Sequence, residues 1–168
     1  EVTANVTIDV TALKPFVGGL TGFIEGNASL NQIKGCTCAA KIIAEVVDPE
    51  NASVLKGYAC AGGLLGAWEG NKTEGNPMLI EYDNSPCVFS GSITSTTLGH
   101  VGTVLGISRN ADNAKVFGSE AFPIQVANTV TIAKKGTEAV TVTPSNVKDL
   151  AIGLDDGNTT MHVTCPNN

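Results

Sequence analysis

Cysteine and histidine are the side chains of this sequence best suited to chemistry, and both are sparse. The chain has five cysteines and two histidines, His100 and His162. No Cys-x-x-Cys pair occurs, so the usual spacings of zinc and thiol-redox sites are missing. A copper or zinc oxidase centre would need three or four histidines. Two isolated histidines are more typical of ordinary strand positions, and we predict no metal and no cofactor.

Carboxylates offer two further possibilities, both of which the sequence disfavours. Asp155, Asp156 and Asn158 carry oxygen atoms suited to calcium, but Asp-Asp-Gly-Asn is also an ordinary tight turn. The densest acidic stretch, residues 69–83, would need aromatic platforms to act as a glycosidase. Trp68 is the best such platform, although a lone tryptophan is more often a core anchor. We therefore predict that the chain is not an enzyme.

The cysteines are better explained as cross-links formed in an oxidising compartment. An odd number predicts two disulfides and one remaining thiol, which could pair with another chain. Cys38–Cys60 is one expected bond, and Cys87 is expected to bond with either Cys36 or Cys165. The alternative is a set of five buried, reduced thiols that pack as small hydrophobic side chains.

Asn-x-Ser/Thr triplets point to the same compartment. They are more frequent than the roughly two expected by chance from the composition. The candidate glycosylation sites are Asn5, Asn27, Asn51, Asn71 and Asn158. The chain begins at Glu1 rather than Met, as we expect of a mature chain whose signal peptide has been removed. We predict a secreted protein that carries N-linked glycans.

The amino-acid composition limits the classes of molecule that we expect the protein to bind. Only 15% of the residues are charged, and the formal net charge is −6, whereas about 25% are charged in a typical soluble domain. An acidic balance argues against nucleic acid and against anionic membrane surfaces. No apolar run approaches the ~20 residues of a transmembrane helix. We expect neither nucleic acid as a partner nor a membrane span.

Alternation of apolar and polar residues dominates the pattern, most clearly at the N-terminus. The apolar positions there are Val2, Ala4, Val6, Ile8, Val10 and Ala12. This period of two predicts an extended strand with one buried face, residues 1–13. Residues 14–22 contain three glycines and predict a hinge. Residues 23–168 show no evident repeat, and their short strands predict an all-β sandwich of about 8–10 strands, Ig-like, pilin-like or jelly-roll.

The alternating segment Val2–Ala12, the glycine-rich hinge and the charge-poor Thr-, Val-, Gly- and Asn-rich body resemble pilus and extracellular fibre subunits assembled by donor-strand complementation. The resemblance implies that the N-terminal strand inserts into the neighbouring subunit. It also implies a homopolymeric, adhesive cell-surface filament. Unlike chaperone–usher pilins, which typically have one disulfide and a C-terminal aromatic residue, this chain has five cysteines and ends in His162–Asn168.

A second hypothesis remains open beside the filament subunit. The chain would then be a monomeric, secreted β-sandwich module that binds a carbohydrate or a protein. In that case residues 1–13 pair within their own chain. The two hypotheses differ in where the N-terminal strand finds its hydrogen-bond partners.

Overall fold

A computed structural model describes residues 3–26, 31–48, 59–70, 77–80, 84–109, 115–155 and 157–167. Within these ranges the chain consists of short strands and one four-residue helix. The prediction of an all-β protein is confirmed.

The strands recur in the same order along the chain, so that the described residues form four successive coils. The first coil contains β1 (Thr3–Ala4), β2 (Thr7–Ala12), β3 (Phe16–Gly18), β4 (Thr21–Gly26) and β5 (Asn31–Lys34). The second coil contains β6 (Thr37–Cys38), β7 (Lys41–Val46), β8 (Cys60–Gly62), β9 (Leu65–Gly70) and β10 (Pro77–Ile80).

The third and fourth coils follow the same plan, with one change in the fourth. The third contains β11 (Val88–Phe89), β12 (Ser92–Thr94), β13 (His100–Gly102), β14 (Leu105–Arg109) and β15 (Lys115–Phe117). The fourth contains β16 (Ile124–Val126), β17 (Thr131–Ala133), β18 (Val140–Thr141), α1 (Val147–Leu150), β19 (Ile152–Asp155) and β20 (Thr159–Met161), and β21 (Val163–Thr164) follows it.

Equivalent strands of successive coils pair in parallel. The first sheet has the order β1-β6-β11-β16-β21, and the second has β2-β7-β12-β17 with β18 added antiparallel at its end. The third sheet is β3-β8-β13 and the fourth is β4-β9-β14-β19, while β5 pairs with β10 and β15 with β20. A chain whose coils stack in this way is a β-solenoid.

The predicted sandwich is not confirmed. A sandwich needs antiparallel neighbours joined by hairpins, and among the described strand pairs only β17 and β18 are antiparallel. The turn Lys134–Thr137 connects these two strands, and its Gly136 has a left-handed φ of 75°, as expected. Alternation predicts that one face of a strand is buried. The same alternation occurs in a strand that pairs with the next strand in sequence and in one that pairs with a strand a whole coil away.

The N-terminal segment is the first coil of the solenoid and not a free arm. β2 pairs with β7 over its whole length, from Thr7 opposite Lys41 to Ala12 opposite Val46. β1 pairs with β6 in the same way. The division into an arm at 1–13 and a hinge at 14–22 therefore does not follow the fold. Val2 lies outside the described residues.

The predicted hinge is in fact one copy of a structural repeat. Residues 17–22 (Val-Gly-Gly-Leu-Thr-Gly) stack in register on residues 61–66 and 101–106, which have related sequences. The glycines allow strands of the third and fourth sheets to approach closely. A Cβ atom on Gly18 would lie 2.0 Å from the carbonyl oxygen of Thr21. These glycines are required for close packing and are not a sign of flexibility.

One long core fills the inside of the coils. Its fully buried members come from the second, third and fourth coils and include Cys38, Ile42, Leu64, Trp68, Phe89, Ile93, Val104 and Val126. A second, smaller cluster joins the third and fourth sheets through Cys60, Ala67 and Ile107. The core therefore runs along the solenoid axis, and each coil covers the apolar residues of the one before it.

Candidate functional site

The first coil leaves its apolar side chains partly uncovered. Ile8 and Val10 are only partly buried, although both pack against the core. Their partners one coil later, Ile42 and Ala44, are 0% exposed. The further partly buried members of this coil are Ala4, Leu20, Ile24 and Ile33. Among the residues that the structure describes, the N-terminal end of the solenoid is thus an open end, with a core that another surface could cover.

Strand β2 also has one open side, which we call the N-terminal edge: the side of Thr7–Ala12 that faces away from β7. On the opposite side, the carbonyls of Val6 and Ala12 accept hydrogen bonds from the N–H groups of Lys41 (2.9 Å) and Val47 (3.1 Å). In a parallel strand, the N–H and C=O of one residue point the same way, and successive residues alternate. The odd residues therefore turn their backbone groups to the open side: Thr7, Asp9 and Thr11.

The opposite end of the solenoid, which we call the closed end, is covered by α1 and β18, although Ile152, Leu154 and Met161 there are only partly buried. In the fourth coil, α1 stands where the third sheet would continue, and Thr103 donates its N–H to the carbonyl of Leu150 at 2.7 Å. Strand β18 folds back on β17. Val142, which follows β18, and Val147, the first residue of α1, are 0% and 3% exposed. The two ends of the molecule therefore differ in how completely the core is covered.

Two of the predicted glycosylation sites lie on the described surface. Asn5 is exposed between β1 and β2, and Asn158 is exposed in the turn between β19 and β20 with a φ of 56°. Asn27, Asn51 and Asn71 lie outside the described residues. Both described asparagines are therefore placed where a glycan would project into solvent.

The five cysteines are all buried and none forms a disulfide, which differs from the two disulfides predicted. The expected Cys38–Cys60 bond is not formed because the two residues belong to different clusters. Cys38 points into the main core, whereas the Cys60 thiol donates to the carbonyl of Gly66 at 3.0 Å in the smaller cluster. A strand that alternates its side chains places residues of one coil on different faces, so sequence proximity was a poor guide to pairing.

Cys60, His100 and Arg109 bring three chemically active side chains into one region of the third and fourth sheets. His100 lies opposite Cys60 on the neighbouring strand. Burial raises the pKa of the Cys60 thiol to about 12, and the charge of Arg109 offsets this only in part. Arg109 also pairs with Glu69 at 3.9 Å. A thiol with so high a pKa stays protonated and is a poor nucleophile.

Trp68 is a core residue, as the more common role of a lone tryptophan suggested. Its side chain is 0% exposed and lies opposite Ile24 and Ser108 on the two neighbouring strands. Its indole N–H has no hydrogen-bond partner among the described residues. A sugar could not stack on a ring that is fully enclosed.

The carboxylate of Asp155 accepts its hydrogen bonds from residues of its own turn. Asp155 Oδ1 accepts hydrogen bonds from the N–H of Gly157 (3.0 Å) and the hydroxyl of Thr159 (2.8 Å). Asp156 lies outside the described residues. In the part of the chain that the structure describes, no three His, Cys, Asp or Glu side chains form a group able to hold a metal ion. None of the described helices has the length and hydropathy to cross a membrane.

Glu45 forms a polar cluster that the sequence did not single out. Its carboxylate accepts hydrogen bonds from the backbone N–H groups of Thr96 (2.9 Å) and Thr97 (3.0 Å) and from the Thr96 hydroxyl at 3.2 Å. The hydroxyls of Thr97 and Ser95 also donate to it. A signal exists in the run Ser95-Thr96-Thr97, whose donors need an acceptor. Nothing in the sequence shows that Glu45, one coil earlier, is that acceptor.

Comparison with known proteins gives no identification. No protein-family model, no curated protein and no solved structure matches this chain. The function must therefore be argued from the geometry of the chain itself.

Proposed function

We propose that the chain is a structural subunit of an extracellular, filament-like assembly and joins its neighbour through the N-terminal edge. The observation that carries the proposal is the contrast between the two ends of the solenoid. Val17 is the one buried member of the hydrophobic core in the described part of the first coil, whereas Val142 and Val147 are buried in the fourth coil, where Ile152 and Met161 are partly buried. An edge strand with unused N–H and C=O groups is a template for the addition of another strand.

The mode of joining that the fold favours is addition and not insertion. Since β2 is already paired with β7, a neighbouring strand would lie alongside β2 and bond to Thr7, Asp9 and Thr11. The alternation of β2 would then continue across the junction, with apolar side chains on the core side. This keeps the N-terminal strand as the contact element that the resemblance implied, but the strand stays in its own subunit.

Covering the open end would contribute favourable free energy to association. Each partly buried aliphatic side chain, such as Ile8, Val10 or Ile24, would contribute at most roughly 1 kcal/mol when fully buried. Each backbone hydrogen bond formed at the edge would add about 0.5–1.5 kcal/mol. Several such contributions together would offset part of the cost of association.

Exposed asparagines and a low content of charged residues support an extracellular location. Asn5 and Asn158, the two sequon asparagines that the structure describes, are exposed and available for glycan attachment. The low content of charged residues, 15%, suits a surface that glycans or neighbouring subunits cover.

The decisive experiment replaces Asp9 by proline. Asp9 turns its N–H to the open side, so proline removes an edge donor without removing a bond between β2 and β7. We expect Asp9→Pro to weaken self-association at least roughly tenfold, measured by sedimentation velocity over a concentration series of the full chain. Thermal unfolding of the same samples shows whether the variant is folded.

Asp9→Ser is the matched control, because serine keeps the N–H at the same position. It should associate as the wild type does. The proposal is wrong if the wild type stays monomeric at every concentration, or if Asp9→Pro assembles as the wild type does. Electron micrographs of the wild-type assemblies test the filament itself, and particles of one small closed size would contradict it.

The alternative function, a monomeric secreted binding module, has one observation in its favour. It requires the N-terminal residues to pair within their own chain, and Thr7–Ala12 does so. Because Trp68 is enclosed, a protein ligand fits this alternative better than a carbohydrate. A strictly monomeric wild type would favour it.

A further inference from the structure

Two of the buried cysteines lie at equivalent positions on neighbouring coils. Cys36 and Cys87 each come directly before a strand, and the residues that follow them, Thr37 and Val88, are paired in parallel between β6 and β11. The N–H of Val88 donates to the carbonyl of Cys36 at 2.8 Å. Neighbouring strands lie about 4.8 Å apart, which is inside the range of Cα separations that a disulfide spans, roughly 4.4–6.8 Å.

The two thiols also point to the same place. Cys36 Sγ donates to the carbonyl of Lys34 at 3.2 Å, and Cys87 Sγ donates to the carbonyl of Ile33 at 3.6 Å. These carbonyls belong to consecutive residues, so both sulfur atoms lie beside one short piece of backbone. Cys36 is 3% exposed and Cys87 is 1% exposed. The thiols are therefore enclosed together, away from solvent.

The other cysteines have no such neighbour. Cys38 lies opposite Phe89 on the next coil. Cys165 follows Thr164, which is opposite Gln125, so that one whole strand separates it from the coil of Cys87. Cys60 stands between Phe16 and His100 in a different sheet. Of the two partners expected for Cys87 from the sequence, the register favours Cys36.

We propose that Cys36 and Cys87 form a disulfide that clamps the second coil to the third. The oxidant is a small disulfide such as oxidised glutathione. One cysteine thiolate attacks it, forming a mixed disulfide and releasing one glutathione thiol. The second cysteine thiolate then displaces the other glutathione, so that two protein thiols are oxidised and one glutathione disulfide is reduced to two thiols.

The clamp would close the longest of the coil-to-coil connections. Paired residues on successive coils are separated by more sequence positions between Cys38 and Phe89 than between any other two successive coils. Closing a long loop removes much of the conformational freedom of the unfolded chain. Because both thiols are buried, the exchange takes place during folding or local opening of the coils, and the finished bond is shielded from reductants.

The test is refolding of the full chain in a glutathione redox buffer, followed by alkylation of the remaining thiols and peptide mapping without reduction. We expect one linked peptide pair, Cys36 with Cys87, and three alkylated cysteines. The melting temperature of the oxidised protein should exceed that of the reduced protein by roughly 5–15 °C. Cys36→Ser and Cys87→Ser should each abolish the difference, and Cys165→Ser should retain it.

Two results would overturn the clamp. One is a refolded wild-type chain in which all five cysteines are alkylated. The other is a map in which Cys87 is linked to Cys165, or Cys36 to any residue except Cys87. The peptide map of the wild type decides the matter even where a serine variant does not fold. The inference does not depend on assembly, since it applies equally to a monomer.

Discussion

At the scale of single residues, Glu45 is the clearest case of a side chain whose role depends on the fold. Burial alone would raise the pKa of its carboxyl, but hydrogen bonds from Thr97 and Thr96 outweigh it and hold the pKa below its usual 4.5. The carboxylate thereby fixes the turn that follows β12 to strand β7 of the preceding coil. Val46 completes the link by donating its N–H to the Thr97 hydroxyl at 2.8 Å.

Glu45→Gln should lower stability at neutral pH by about 1 kcal/mol, because a neutral amide accepts these hydrogen bonds less strongly and the site is open to solvent. A group with a lowered folded pKa stabilises the protein above its unfolded pKa, and the contribution is lost as the pH falls through the folded value. The difference in melting temperature between wild type and variant should therefore be full above pH 4.5 and shrink below it.

Glu69→Gln is the control for this prediction, since among the described residues the carboxylate of Glu69 makes a long ion pair with Arg109. Its melting temperature should follow the wild type across the same pH series. A gap between wild type and Glu45→Gln that stays constant with pH would show that the carboxylate charge is not involved.

At the scale of elements, the glycine repeat determines how the third and fourth sheets meet. Gly62 and Gly66 bracket the corner between β8 and β9. A Cβ atom on Gly62 would lie 1.8 Å from the carbonyl oxygen of Leu65, and one on Gly66 would lie 2.2 Å from that of Gly22. Backbone atoms cannot move aside as flexible side chains do, so the two strands would have to separate.

Gly66→Ala should therefore destabilise the protein by about 3 kcal/mol or more. Gly99→Ala is the matched control, because a Cβ atom there meets nothing within 4 Å, and it should change stability by less than about 0.5 kcal/mol. Urea unfolding of the two variants and the wild type measures both. Equal, small effects would mean that the sheets can separate at little cost.

At the scale of the whole molecule, the solenoid has one open and one closed end. In a solenoid each coil contacts only its neighbours, so stability is lost locally and then spreads. The closed end depends on α1 and the β17–β18 hairpin, and Val147 is the residue of the helix that is buried against the core. The open end has no such element among the described residues.

Val147→Asp should place a carboxylate in the closed end and cost about 3 kcal/mol or more. Hydrogen exchange should then rise first in β16–β20, while β7 and β12 keep their protection, because only the neighbouring coil loses its cover. Lys148→Gln, at the exposed neighbour, should leave both stability and exchange unchanged. A uniform rise in exchange over all coils would contradict the view that the coils unfold separately.

The sequence by itself determined that the chain is rich in strands and which face of β2 turns inward. Period-two alternation depends only on the pleat of one strand. Ala4, Ile8 and Val10 pack against the core as the pattern predicted, whereas Val6, predicted on the same face, is 52% exposed because it lies between β1 and β2. The all-β class, the enclosed Trp68 and the left-handed Gly136 turn followed from equally local signals.

Only the tertiary structure decided how the strands pair. Parallel and antiparallel neighbours bury the same alternating face, so the pattern of β2 cannot show that its partner is β7, a full coil later along the chain. Gly18, Gly19 and Gly22 likewise resemble a hinge in the sequence, whereas the close approach of two sheets requires them. Pairing at long sequence separation depends on the whole coil closing, and it brings together residues, such as Cys36 and Cys87, that no local pattern connects.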